Sequence, residues 1–336
     1  PEQYEQPDFM YDPFTEDSVV SWVEGKRLIS GEPIYLPAQI VLLFYAYRQG
    51  EARIGYSTTG GLASHISRKD ALYHGITELF ERDAVNLRWY CKIPPEIIQF
   101  DRMPKKSELL RLLSIANGLP GEMTFYHHSL DIPELPVVTV IEIDDWLNRY
   151  AYFSGGGVDL DIDEALLTAL NEFGQAERNM RLSLAAPEWG FARGVEHMFN
   201  VDKDEDVSKI DIFFKIVAYY GYQQNIDKMK WYMNDGQHIP LSSLPSPDYF
   251  SEGERWNDLM RVLKSHDIDP IVFDFTPPQM NHIRLMKTYI PELTPPYLPS
   301  LPYLGHPRYY HLPHKLGYTD HPLTFEDLNK DPLPYP

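Results

Sequence analysis

Glu78 and Glu81 stand three residues apart in a stretch that reads as helix, so their carboxylates project from one face. Two carboxylates held that close repel unless a cation or basic group lies between them. A loop of small residues, Ser57-Thr-Thr-Gly-Gly-Leu-Ala-Ser64, precedes the helix and lets backbone approach a ligand. The combination suggests a metal-bridged anion site. On spacing alone, the pair also reads as a solvated acidic face flanked by Leu79 and Phe80.

A second acidic element shifts that balance. Glu172 and Gln175 again sit at i and i+3 on a helix, this time after Ser154-Gly155-Gly156-Gly157. Hard oxygen ligands of this kind suit Mg2+, which bridges carboxylates to phosphates. The glycine stretch reads as a tight turn, or as a nest of N–H groups for a phosphate. It matches neither the phosphate-loop pattern nor the dinucleotide fingerprint. Strand, glycine loop and acidic helix thus occur twice, over 41–90 and 137–180.

The elements that must position these groups follow from periodicity and punctuation. The branched and aromatic run 36–47 predicts a strand. Ser67 caps a long amphipathic helix that carries Glu78 and Glu81 to about Tyr90, before Pro94 and Pro95. Helices are expected at 106–117, 161–178, 209–221 and 256–266, and strands at 135–143, 150–153, 268–275 and 282–290. From Pro291 onward prolines recur, ending in Pro332-Leu-Pro-Tyr-Pro336, which predicts an extended, polyproline-like tail. A tail of that kind reads as a disordered end or docking ligand, and it also permits a carboxylate to be carried back into a site.

Composition excludes several classes. The 336 residues are 43% hydrophobic and 13% aromatic, as a folded protein requires. A net charge of −19 argues against nucleic acid, which needs basic clusters. No run approaches the roughly 18 apolar residues of a membrane span, and the first residues lack signal-peptide character. The lone Cys91 excludes an internal disulfide framework and reads as a buried structural thiol, so a reducing cytoplasm fits. The histidines form no zinc spacing.

Two segments carry a family resemblance. Gly61-Leu-Ala, Asp70-Ala71 and Glu78-Leu-Phe-Glu81-Arg82-Asp83-Ala84 resemble the first signature of the YcaO superfamily. Gly155-Gly-Gly157, Ala165-Leu166 and Ala169-Leu170-Asn-Glu172-Phe-Gly-Gln175 resemble the second. Lys287-Thr-Tyr-Ile-Pro291, Leu316-Gly317, Leu328-Asn329 and the proline-rich end resemble the azoline-forming cyclodehydratase branch. The resemblance runs from about Trp22 to Pro336.

It implies an α+β fold around a buried nucleotide site, with residues 1–290 as the catalytic domain and 291–336 as a C-terminal extension. It implies an ATP- and Mg2+-dependent enzyme that converts Cys, Ser or Thr of a ribosomally made precursor peptide into thiazolines or oxazolines. By the resemblance, Glu78, Glu81, Glu172 and Gln175 hold Mg2+, Lys26, Arg82, Arg178 and Lys287 neutralise phosphate, and Ser57 and Ser64 line the loop. The Pro336 carboxylate then assists proton transfer. Where family members often have Ser, Arg and an acidic residue, this chain has His74, Lys287 and Thr168. Expected partners are the precursor peptide and a ThiF-like (E1-like) leader-binding protein, separate or fused ahead of Pro1. A flavin-dependent azoline dehydrogenase and a homodimer stay open. So do a thioamide- or macroamidine-forming enzyme and a non-catalytic nucleotide-binding scaffold.

Overall fold

The structure is a computed structural model and describes residues 2–5, 9–119, 121–198, 200–207, 210, 213–280, 282–297 and 303–334. In chain order its first elements are β1 (Trp22–Arg27), β2 (Pro33–Pro37), the one-turn α1 (Ala38–Val41), β3 (Leu62–His65) and α2 (Arg68–Tyr90). Next come β4 (Glu96–Gln99), α3 (Ser107–Ala116), β5 (Glu122–His127), β6 (Val137–Ile143), β7 (Tyr152–Val158) and α4 (Ile162–Ala185). The chain continues through α5 (Gly190–Met198), α6 (Phe213–Tyr220), α7 (Gln223–Ile226), α8 (Lys230–Asn234) and β8 (His238–Pro240). It closes with α9 (Glu252–Ser265), β9 (Ile271–Asp274), β10 (Arg284–Tyr289) and α10 (Pro307–Lys315).

Ser67 starts α2 as its sequence demands, its hydroxyl accepting from Asp70 N at 3.4 Å. Seventeen of the 23 residues of α2 are buried, too many for a one-sided surface helix. The reason is that α2 runs between two sheets. One is antiparallel, ordered β2-β1-β9-β10-β3; the other is ordered β7-β6-β5-β4-β8 and is antiparallel except at β4–β8. The first half of α2 gives Leu72, Ile76 and Leu79 to a core with Met286 and Leu263. Its second half gives Val85, Trp89 and Tyr90 to a larger core with Val140, Phe153 and Leu166.

The glycines expected to form a loop at 154–157 lie inside β7, an edge strand. A side chain there would strike α4: a Cβ on Gly155 would sit 2.2 Å from Phe173 N, and one on Gly157 2.2 Å from Ala165 O. The glycines are thus a seam on which α4 lies directly against β7. Gly155→Ala is expected to destabilise the fold by about 3 kcal/mol. Gly174→Ala, inside α4 with nothing within 4 Å, is expected to stabilise it by about 1 kcal/mol. Urea unfolding of both variants checks the opposite signs.

Two further expectations are corrected. The run 36–47 is not a strand: β2 ends at Pro37 and α1 follows. The buried Gln39 amide explains this, because its Nε2 donates to Ala52 O at 2.7 Å and its Oε1 accepts from Ile54 N at 3.0 Å. A side chain thereby takes backbone bonds that a strand would have used. The C-terminal extension is not extended throughout, since α10 is helical, with Pro307 at its start where a missing N–H costs nothing. Arg308 of α10 pairs with Asp83 of α2 at 2.6 Å and with Asp131 at 2.9 Å. Tyr309, Leu312, Leu328 and Leu333 join the larger core. Among the described residues no helix is long and apolar enough to cross a membrane.

Candidate active site

The two sequence pairs converge through backbone. Glu78 Oε2 accepts from Gly61 N at 3.0 Å, and Glu172 Oε2 accepts from Gly156 N at 2.6 Å. Gly61 has φ +75 and its Cβ position lies 2.4 Å from Thr288 O, so only glycine fits the turn that presents this N–H. Burial pushes the Glu78 carboxyl above its ordinary range; Arg82, the Gly61 N–H and Lys287 pull it down, and the nearby Glu172 charge pushes it up again. Glu78 and Glu172 therefore face each other closely enough to repel.

Lys287 of β10 is buried, and its ammonium donates to Thr58 O at 2.6 Å and Gly60 O at 2.7 Å. Burial depresses its pKa to about 8, against the opposing pull of Glu78. Among the described residues, Lys287 is the one charged residue lining a cavity of 180 Å³ whose walls include Tyr56, Leu79 and Tyr303. The cavity thus suits an anionic group attached to an apolar or aromatic body. Below pH 8 the amine carries its charge, and above it the proton is lost, so affinity for a polyphosphate is expected to fall as pH rises past 8. Titration calorimetry between pH 7 and 9.5 checks the slope, which Lys287→Arg should flatten because guanidinium stays charged.

The structure brings Arg82, Glu172 and Lys287 within electrostatic reach of Glu78, and Glu81 lies 3.7 Å from Arg82. Ser57 lies beside Thr58, its hydroxyl donating to Val41 O at 3.1 Å. Gln175 and Arg178 are exposed on α4, one turn apart. Ser64 is exposed on β3 opposite Leu285. Lys26 is exposed and registers with Val272, whereas Lys287 registers with Phe273, so the two lysines leave opposite faces of the sheet. Pro336 lies outside the described residues. Cys91 is buried, its thiol pushed up to about 12 by desolvation.

A divalent cation fits this chemistry. Glu78 and Glu172 are oxygen donors from separate helices, with a charge repulsion that an ion would relieve. Among the described residues no group of three or more His, Cys, Asp or Glu is gathered tightly enough to hold a metal alone.

The backbone acceptors Thr58 O and Gly60 O escaped sequence reasoning because no side chain announces them. The tyrosines around the C-terminal segment escaped it too. Tyr152 O–H donates to Pro334 O at 2.5 Å and Tyr220 O–H to Pro332 O at 2.7 Å. Trp89 Nε1 donates to Asp331 O at 2.8 Å.

Two carboxylates from two long helices, near a buried lysine, thus meet within an α+β fold of two sheets. The family model described as YcaO cyclodehydratase, ATP- and Mg2+-binding, matches residues 1–294, and the chain belongs to this family. The family's ATP and Mg2+ agree with the cofactors expected from the sequence. The fold is similar to that of the heterocyclase TruD, with TM-score 0.73 and 18% identity over 99% of this chain. It is also similar to YcaO from Methanopyrus kandleri bound with AMPPCP and Mg2+, with TM-score 0.60 and 17% identity over 84% of this chain and 67% of that one. The E. coli microcin synthetase McbBCD complex gives TM-score 0.57 and 17% identity over 81% of this chain and 64% of that one. The chain spans 43% of the TruD chain, less than half its length.

Proposed function

We propose that this chain is an ATP- and Mg2+-dependent peptide cyclodehydratase of the azoline-forming branch. The observation that carries the reading is the meeting of Glu78 and Glu172, each tethered to a glycine N–H, beside the buried Lys287. Bound Mg2+ would offset the charge of the nucleotide phosphates. Glu78, Glu81, Glu172 and Gln175 would hold the ion. Lys287 and Arg82 would pair with phosphate oxygens, and Ser57 would shape the loop around them. For Lys26, Ser64 and Arg178 the support is the family resemblance alone.

In the reaction, a Cys, Ser or Thr side chain of a precursor peptide attacks the preceding carbonyl carbon, and its proton is taken up by a base. The oxygen of that former carbonyl attacks the γ-phosphorus of ATP and ADP leaves. Loss of phosphate and the amide proton then gives the C=N bond of the azoline. The Pro336 carboxylate is the proposed base. A ThiF-like leader-binding protein would deliver the peptide, and a flavin-dependent dehydrogenase would act on the product if an aromatic azole is made.

The test incubates the protein with its leader-binding partner, a Cys- or Ser-containing precursor, ATP and Mg2+, and weighs the peptide. Loss of one water per modified residue, matched by ADP and phosphate, is expected. ATP consumption that yields a thioamide or macroamidine would instead select those alternatives, and nucleotide binding without turnover would select the scaffold.

A further inference from the structure

The Pro-Leu-Pro segment at 332–334 is buried, and its hydrogen bonding matches its surroundings residue by residue. Pro332 and Pro334 have no N–H, so each needs only a donor for its carbonyl, and each receives a tyrosine hydroxyl, from Tyr220 and Tyr152. Leu333, which does have an N–H, donates it to the Tyr90 hydroxyl while its side chain is buried. Upstream, Asp331 O accepts from Trp89, and Asn329 N donates to Tyr90 O at 2.8 Å. Proline at alternate positions is what a slot walled by hydroxyl donors accommodates without orphaning a polar group.

The slot shares a strand with the site already described. Tyr152, Ser154 and Gly156 follow one another along one face of β7, the opposite face carrying the Gly155 and Gly157 seam. Gly156 N, four residues and about 13 Å from Tyr152, holds Glu172. One strand therefore grips the C-terminal segment at one end and an expected metal ligand at the other.

We propose that Tyr152 and Tyr220 are positioning residues whose hydroxyls read the Pro334 and Pro332 carbonyls and thereby fix the C-terminal segment relative to the strand that holds Glu172. This rests on the cyclodehydratase reading for its effect on turnover, though not for the slot itself. The hydroxyls act on backbone, so the slot selects proline spacing and leaves the identity of the residue after Pro334 unspecified. An N–H introduced at position 334 would enter a buried slot in which the Tyr90 hydroxyl already accepts from both Leu333 and Tyr297.

The experiment compares the intact chain, Tyr152→Phe, Tyr220→Phe and Pro334→Ala, each also in a chain shortened to end at Pro332 where the substitution allows. Readouts are peptide turnover, KM for ATP and amide exchange of Leu333. In the intact chain each substitution is expected to lower kcat about tenfold, through one lost hydrogen bond at either tyrosine or one unpaired N–H in Pro334→Ala, with KM for ATP unchanged. Leu333 exchange should quicken in step. In the shortened chain Tyr152→Phe should change the residual turnover by less than twofold, because its partner is already gone. An equal tenfold loss there, or a raised KM for ATP, would mark Tyr152 as merely structural and overturn the proposal. Unchanged Leu333 exchange in Tyr152→Phe would overturn it as well. If the intact chain dehydrates no peptide, the cyclodehydratase reading falls, and the exchange rates still judge the slot.

Discussion

Glu78→Gln and Glu172→Gln are each expected to lower Mg2+-dependent turnover by about 100-fold or more, while the fold survives. Both replacements keep a side-chain oxygen that can accept the Gly61 or Gly156 N–H, so neither glycine contact is lost. What disappears is one formal charge at the point where a divalent cation would balance phosphate. A loss of a few kcal/mol there corresponds to that factor. At Glu78 the stability effect has the opposite sign. Burial already disfavours its ionised form, so the neutral amide relieves desolvation and repulsion from Glu172. The thermal midpoint of the ligand-free Glu78→Gln chain is expected to hold or rise, while nucleotide affinity in Mg2+ falls. Calorimetry on the same sample gives both numbers, and retained Mg2+-dependent affinity would refute the metal assignment.

Removal of Leu333–Pro336 is expected to produce the second large effect, a loss of peptide turnover of about 100-fold or more with nucleotide binding retained. The deletion takes away the proposed base and the part of the chain held by Tyr152 and Tyr90. It leaves the supports of α10 in place: Arg308 still bridges Asp83 and Asp131, and Asn329 still bonds Tyr90 O. Nucleotide binding depends on groups from other elements, Lys287 and Glu78 among them, so KM for ATP should stay within twofold. Full turnover by the shortened chain would favour thioamide or macroamidine chemistry, which needs no such tail.

Much of this was legible in the sequence, and for identifiable reasons. The helices α2 and α4 are long, Ser67 marks the start of the first, and their paired side chains come from helical spacing, which survives any tertiary context. The strands β6 and β9 are short branched runs bounded by turn residues, and they and β10 form where the sequence predicts. Sequence reasoning failed where backbone atoms decide. Glycines in β7 look like a loop until α4 is known to lie on them. Gln39 looks like an ordinary strand residue until its amide is seen to occupy the place of a ladder. Lys26 and Lys287 were equal candidates until strand register put them on opposite faces. The tyrosine slot combines both difficulties, since hydroxyls from separate elements meet carbonyls that the sequence does not mark.

The seam of Gly155 and Gly157 bears on how this reaction centre tolerates mutation. Where two elements meet through interlocked side chains, every exchange of one residue for a larger or smaller one retunes their separation. Where main chain rests on main chain, there is nothing to exchange, and the spacing of α4 from β7 is insulated from drift elsewhere in the core. Glu172 rides on that spacing. Its distance from Gly156 is set by bare backbone, so the surrounding sequence is free to wander while the carboxylate stays in place.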